Sequence, residues 1–141
     1  INSMHRNFQP ELIKDEKELQ AQLAIFLKAK FPDVKIVREV TTPSGGSVDI
    51  VLDSKYGFEL KVPKNRTHLR NLIGQLDEYS EYYQYLCVVI ADISQSHDDT
   101  HDEMEDEKIE PGLSENIKEY AEKYKEKFGI QTLVFVTKKR R

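Results

Sequence analysis

Three residues with the chemistry of a metal-dependent site, Asp49, Glu59 and Lys61, lie close together in the stretch VDIVLDSKYGFELKV. Asp49 interrupts a run of apolar residues, where an unpaired carboxylate is costly and needs a partner such as a cation. Glu59 and Lys61 alternate with apolar residues over 56–62, so the period of two places both on one face of a strand. Carboxylate oxygens suit a hard divalent ion, and we expect Mg²⁺ with Mn²⁺ as a possible substitute.

The elements that must position these residues follow from periodicity and from turn signals. Helical spacing, capping residues and a terminal glycine predict helices over 11–30, within 65–84, and from a cap at Ser114 to about 128. Alternation and apolar runs predict strands over 35–40, 48–52, 56–62, 85–91 and 131–137. The first three strands should form an antiparallel meander. The order αβββαβαβ predicts one α/β domain over 1–141, with an acidic insertion loop at about 94–111.

Composition narrows the class of protein. The chain has 141 residues and one cysteine, Cys87, which lies in an apolar run and is expected to be a buried, inert thiol. No apolar run is long enough to span a bilayer, and no signal peptide is recognisable, so we expect a cytoplasmic protein without a membrane partner.

Charge is distributed unevenly along the chain. The net charge is −4, but 97–110 contains eight acids and one lysine, so this segment carries −7 and the remainder +3. Lys64, Arg66 and Arg70 follow the candidate site and are predicted to bind nucleic-acid phosphates, and the basic end 138–141 offers a second such patch. Both groups could equally be solvated surface charge.

The order of these residues within the predicted elements resembles the PD-(D/E)XK nuclease superfamily. Asp49, Glu59 and Lys61 match its motif, Val48 stands where the motif has proline, and the resemblance covers about 14–91. It implies a restriction-endonuclease-like mixed β-sheet core flanked by helices. It also implies a metal-dependent nuclease that hydrolyses phosphodiester bonds of nucleic acid, with DNA as the expected substrate.

The resemblance assigns roles to particular residues. Asp49, Glu59 and the Leu60 backbone carbonyl would bind the metal, while Lys61 would orient the attacking water or offset charge in the transition state. Many superfamily members add an acid from the first helix, for which Glu16 is the candidate, with Glu18 as the alternative that a helix-start role explains more simply. Gln75 matches a glutamine of several branches. The catalytic set is therefore predicted as Asp49, Glu59, Lys61, Glu16 and Gln75.

Other interpretations of the same residues stay open. A solvated strand face with a Glu59–Lys61 ion pair, and Asp49 satisfied by a backbone amide, would need no metal. The chain could also be a catalytically silent module that binds nucleic acid or protein, or the nuclease domain of a larger protein. Cutting of a duplex would favour a homodimer, and a regulatory protein partner could displace the acidic loop from the site.

Overall fold

The computed structural model describes residues 8–10, 12–95 and 109–137. Its elements follow the predicted order αβββαβαβ, which confirms the α/β class. In chain order they are α1 (Glu16–Lys30), β1 (Ile36–Thr41), β2 (Ser47–Leu52), β3 (Tyr56–Lys61), α2 (Arg66–Tyr79), β4 (Tyr85–Asp92), α3 (Leu113–Phe128) and β5 (Gln131–Val136).

The strands form one mixed sheet in the order β1-β2-β3-β4-β5. The first three pair as the predicted antiparallel meander, whereas β4 runs parallel to β3 and β5 runs parallel to β4. The two parallel connections contain α2 and α3, as parallel neighbours require a crossover. Strand β4 is apolar at nearly every position because it is buried on both faces, which is typical of a central parallel strand.

The helices form a layer on each face of this sheet. Helix α1 packs on one face through leucines that contact Phe58 and Leu60 of β3, and α2 and α3 pack on the other face against Val88 and Ile90 of β4. Since side chains alternate along a strand, Glu59 faces the α2 side, opposite to its neighbours Phe58 and Leu60. The predicted site residue Glu59 therefore lies beneath a helix.

Helix α1 begins later than the periodicity predicted. The Asp15 side chain accepts the Glu18 N–H at 3.0 Å, and Glu18 in turn accepts the Lys14 N–H at 2.9 Å, so the predicted capping pair starts the helix at Glu16 rather than at 11. Leu12 lies outside the helix and is half exposed. Helix α2 likewise ends at Tyr79, short of the predicted limit at 84.

The prediction that Ser114 caps the third helix is wrong. The N-cap is Gly112, whose φ of 75° is in the left-handed region, and none of the described side chains caps this end by a hydrogen bond. The Ser114 hydroxyl instead donates to Asp92 Oδ2 at 2.7 Å, tying the start of α3 to the end of β4. At the other end, Gly129 with φ 68° terminates the helix as predicted.

Replacing Asp92 by alanine should destabilise the fold by about 2–3 kcal/mol, because buried donors that lose their acceptor keep their desolvation cost. The Asp92 carboxylate is 2% exposed and accepts the Ser94 N–H, the Ser94 hydroxyl and the Ser114 hydroxyl. Urea unfolding measures the loss. Ser114→Ala should cost less because only one of these donors is removed, and an equal cost for both variants would contradict this account.

Some sequence predictions fall outside the described residues. These are most of the acidic insertion and the basic end 138–141. Within the described ranges, none of the helices combines the length and apolar character that crossing a membrane requires. Cys87 is buried as expected, and its burial raises the pKa of the thiol to about 12.

Candidate active site

Asp49 lies where β2 separates from β3. The two strands pair from Leu52↔Tyr56 to Ile50↔Phe58. Beyond Ile50 a side chain replaces the backbone as the partner of β3, because Asp49 Oδ2 accepts the Leu60 N–H at 2.7 Å. A backbone amide therefore satisfies part of this carboxylate, as one of the metal-free interpretations expected. The same contact fixes the Asp49 side chain against β3, where Glu59 lies.

Glu59 is the most buried acid of the candidate site. Its side chain is 2% exposed, and Oε1 has no hydrogen-bond partner among the described residues. Desolvation, followed by a side-chain hydrogen bond to Asp49 and the charge of that carboxylate, raises the pKa of Glu59 to about 9. The charge of Lys61 acts in the opposite direction. At neutral pH this pair of acids therefore retains a proton, which is the behaviour of two carboxyls sharing one buried place.

Lys61 extends from the end of β3 towards the start of α1. Its Nζ lies 3.7 Å from Glu16 Oε1, and the two side chains are 22% and 44% exposed. The part of the chain that the structure describes contains no Glu59–Lys61 ion pair, so that half of the metal-free alternative is wrong, while its other half, Asp49 satisfied by a backbone amide, is confirmed. Burial raises the pKa of Glu16, Lys61 opposes this shift, and the charge of Asp49 raises the pKa further. Glu16 thus joins the site, while Glu18 serves the helix start.

Gln75 faces the same site from α2. Its Oε1 is buried and has no hydrogen-bond partner among the described residues. One turn later on the helix, the Tyr79 hydroxyl donates to the Ser47 carbonyl at 3.0 Å and so fixes α2 to the start of β2. Glu59 and Gln75 therefore each have a buried acceptor oxygen without a partner among the described residues. Such atoms are uncommon in folded proteins and call for an explanation.

A cleft of about 450 Å³ opens beside these residues, between the start of α1, the end of β3 and α2. Four of its lining residues were predicted from the sequence as site residues: Glu16, Lys61, Lys64 and Gln75. Three others, Lys14, His68 and Asn71, were not. Spacing could have identified two of the three. His68 and Asn71 precede Gln75 by seven and four residues, so all three lie on one side of α2.

The predicted phosphate-binding residues are in three different environments. Lys64 lines the cleft. Arg66 is directed to α3, where its Nη2 lies 3.1 Å from Glu119 Oε1 and its guanidinium lies over the Tyr120 ring. Arg70 is exposed on α2 and does not line the cleft. The structure therefore brings only Lys64 to the candidate site.

Two further residues, Leu60 and Glu39, lie around the acids. Leu60 contributes its N–H to Asp49, and the use of its carbonyl as a metal ligand stays a prediction. The exposed Glu39, on β1, pairs with Lys17 of α1 at 3.3 Å, and its φ of 53° marks an irregularity in β1 opposite Asp49. A role for Glu39 in the site is therefore less direct than that of Glu16.

The donor set can be tested for fit to a divalent ion. The unpartnered Glu59 Oε1, the adjoining Asp49 carboxyl and the nearby Glu16 are hard oxygen ligands of the kind that Mg²⁺ and Mn²⁺ bind. In the ranges 8–10, 12–95 and 109–137, however, no three His, Cys, Asp or Glu side chains are already grouped so that they could hold a metal. The chemistry of these oxygen ligands therefore fits a divalent ion, while Glu16, the third acid, is paired with Lys61.

The comparisons with known proteins do not add a relative. No protein-family model matches this chain, and neither the curated proteins nor the solved structures give a match.

Proposed function

We propose that this chain is a Mg²⁺-dependent nuclease domain with a restriction-endonuclease-like core, which hydrolyses phosphodiester bonds of nucleic acid, with DNA as the expected substrate. The observation that carries the proposal is the buried Glu59 carboxyl, which adjoins Asp49 and has an oxygen without a hydrogen-bond partner among the described residues. The order of the elements and the resemblance of Asp49, Glu59 and Lys61 to a nuclease motif support it.

Energetics favour a ligand for this acid pair over a purely structural role. Two adjacent carboxyls, one of them almost fully buried, are unfavourable when ionised, because desolvation and mutual repulsion act together. A bound divalent cation would offset both the desolvation and the repulsion of the two carboxylates. It would also bind the Glu59 oxygen that the described residues leave unpaired. A carboxyl pair that served only the fold would be expected to have its oxygens satisfied by nearby donors.

Each side chain has a task that its position allows. A divalent ion held by Asp49 and Glu59 would supply Lewis-acid polarisation of the scissile phosphate and a more acidic bound water. Lys61, on the same face of β3 as Glu59, can hold the attacking water or offset charge that develops on the phosphate oxygens. Glu16 positions the Lys61 ammonium, and the Gln75 amide can hydrogen bond to the substrate or to the water.

A second candidate is a silent module on the same fold that binds nucleic acid or protein without cutting it. Two observations favour it: within the described ranges the acids are not grouped as a metal site, and Glu16 pairs with Lys61. The same residues would then only shape the cleft. Metal-dependent turnover separates the two candidates.

The decisive experiment is cleavage of labelled linear, branched and single-stranded DNA, with RNA as a comparison, in Mg²⁺, in Mn²⁺ and in EDTA. Cutting only with a divalent ion supports the nuclease and identifies its substrate. Binding without cutting at any metal concentration supports the silent module. Duplex cleavage accompanied by a dimer in solution would bear out the homodimer expected from the symmetry of a two-strand cut.

Metal addition should also raise the melting temperature of the substrate-free protein. A ligand that binds only the folded state stabilises it by about 2.7 kcal/mol at 100 times its dissociation constant. Because ion binding must displace the proton of Glu59, whose pKa is raised to about 9, the increase should be larger at pH 8 than at pH 6. Differential scanning fluorimetry with Mn²⁺ measures it, and an unchanged melting temperature at both pH values would count against the metal site.

A further inference from the structure

His68 is held in a defined orientation at the edge of the cleft. Its Nδ1 accepts the Lys64 N–H at 3.2 Å, and its own backbone N–H donates to the Asn65 side chain at 3.0 Å, which caps α2. An imidazole nitrogen that accepts a hydrogen bond carries no proton, so the neutral ring must carry its proton on Nε2. The backbone of Lys64 thus makes the other nitrogen of His68 a donor.

Within the described part of the fold, the ring acts on another side chain through charge alone, by opposing the rise that burial causes in the pKa of Glu16. Among the described residues Nε2 has no hydrogen-bond partner, and the imidazole lines the cleft together with Asn71 and Gln75. These three side chains form one polar strip along α2, with the imidazole in the first turn of the helix and Gln75 two turns later. The strip therefore extends the candidate active site along α2 towards the start of that helix.

The charge around this strip favours an anion. Lys14, Lys61 and Lys64 line the cleft, against the two acids Asp15 and Glu16. Asp15 is occupied as the helix cap of α1, and Glu16 is paired with Lys61. Lys14 and Lys64 have no ion-pair partner among the described residues.

We infer that His68 Nε2, assisted by Lys64 and Lys14, binds a backbone phosphate of the nucleic-acid substrate next to the phosphate that is cut. The inference rests on the proposed function and deepens it by assigning the strip on α2 to one neighbouring nucleotide of the strand. It uses a fixed hydrogen-bond donor and two lysine charges, which are the usual means of positioning a phosphate without reading a base.

Two substitutions at His68 separate its two nitrogens. In His68→Asn the amide oxygen can replace Nδ1 and keep the Lys64 contact, but the Nε2 donor is lost. In His68→Gln the amide group can replace the Nε2 donor, but the Nδ1 acceptor is lost. Thr67→Ala is the matched control, because Thr67 is exposed on the same turn of α2 and does not line the cleft.

The readouts are the affinity for a labelled oligonucleotide in EDTA, measured by fluorescence anisotropy, and cleavage in Mg²⁺ or Mn²⁺. We expect His68→Asn to weaken binding roughly tenfold, as loss of a hydrogen bond to a charged group predicts. His68→Gln and Thr67→Ala should stay within about threefold of the wild type, a small change on the same free-energy scale. In the wild-type protein, the imidazole NMR signal of His68 should shift during titration with the oligonucleotide, which tests the contact without any variant.

The outcomes keep this inference distinct from the proposed function. Wild-type affinity in His68→Asn, or an unshifted imidazole signal while the oligonucleotide binds, overturns the inference even if the protein cuts DNA. Equal weakening in both His68 variants with a lowered melting temperature also overturns it, because the residue would then be structural. Selective weakening in His68→Asn without any cleavage by the wild type supports the phosphate contact and contradicts the nuclease.

Discussion

Replacing Lys61 by methionine should lower metal-dependent cleavage by roughly 100-fold to 10,000-fold, the usual contribution of a positioned acid–base group. Methionine keeps most of the aliphatic length of the side chain, so the packing at the end of β3 is retained while the ammonium is lost. Asp49→Asn should have an effect of similar size, since asparagine still accepts the Leu60 N–H but no longer brings a negative charge to the ion. Single-turnover cleavage assays measure both losses.

Lys17→Met is the matched control for the lysine variant. Lys17 is 80% exposed and pairs with Glu39 rather than with Glu16, so its loss should leave cleavage unchanged. The melting temperature of Lys61→Met should stay close to that of the wild type, since the Lys61–Glu16 pair is partly exposed and worth little. Cleavage by Lys61→Met within about threefold of the wild type would exclude the lysine from the chemistry, because general acid–base groups contribute far more than that.

The order of the elements was predictable because each rests on a local signal. Alternation along 56–62 places Glu59 and Lys61 together, and a period of two leaves little freedom in that assignment. The apolar run of β4 and the glycine at the end of α3 are equally local. Such signals locate the strands that carry the acids, and they explain why the sheet and its candidate site could be predicted together.

The remaining features depend on contacts between distant parts of the chain. Ser114 has the type of a helix cap, yet Asp92, 22 residues earlier, takes its hydroxyl. The Lys61–Glu16 pair joins β3 to α1, so the sequence alone could not distinguish it from a Glu59–Lys61 pair on one strand. Tertiary contacts, rather than propensities, decide both of these cases. The orientation of His68 is different, because its partner, the Lys64 N–H, lies only four residues earlier in the chain.

Glu59→Gln should stabilise the metal-free protein by roughly 3 kcal/mol at pH 7, because each unit of pKa difference between folded and unfolded states is worth about 1.4 kcal/mol. The pKa of Glu59 is raised from 4.5 to about 9 in the folded state. In the window between these values the unfolded chain binds fewer protons than the folded one, so wild-type stability falls as pH rises. Glutamine does not titrate, and its amide can still donate to Asp49.

The stability difference between Glu59→Gln and the wild type should therefore be small near pH 5 and should grow through pH 8. Urea unfolding in EDTA at several pH values measures this trend, and Glu115→Gln, at an exposed acid of α3, should show no such pH dependence. A constant difference at all pH values would mean that Glu59 is already ionised in the folded protein. If the trend holds and the same variant loses the stabilisation by Mn²⁺, then Glu59 lowers the stability of the metal-free protein and also binds the ion. A carboxyl that serves only the structure would have no reason to show both effects.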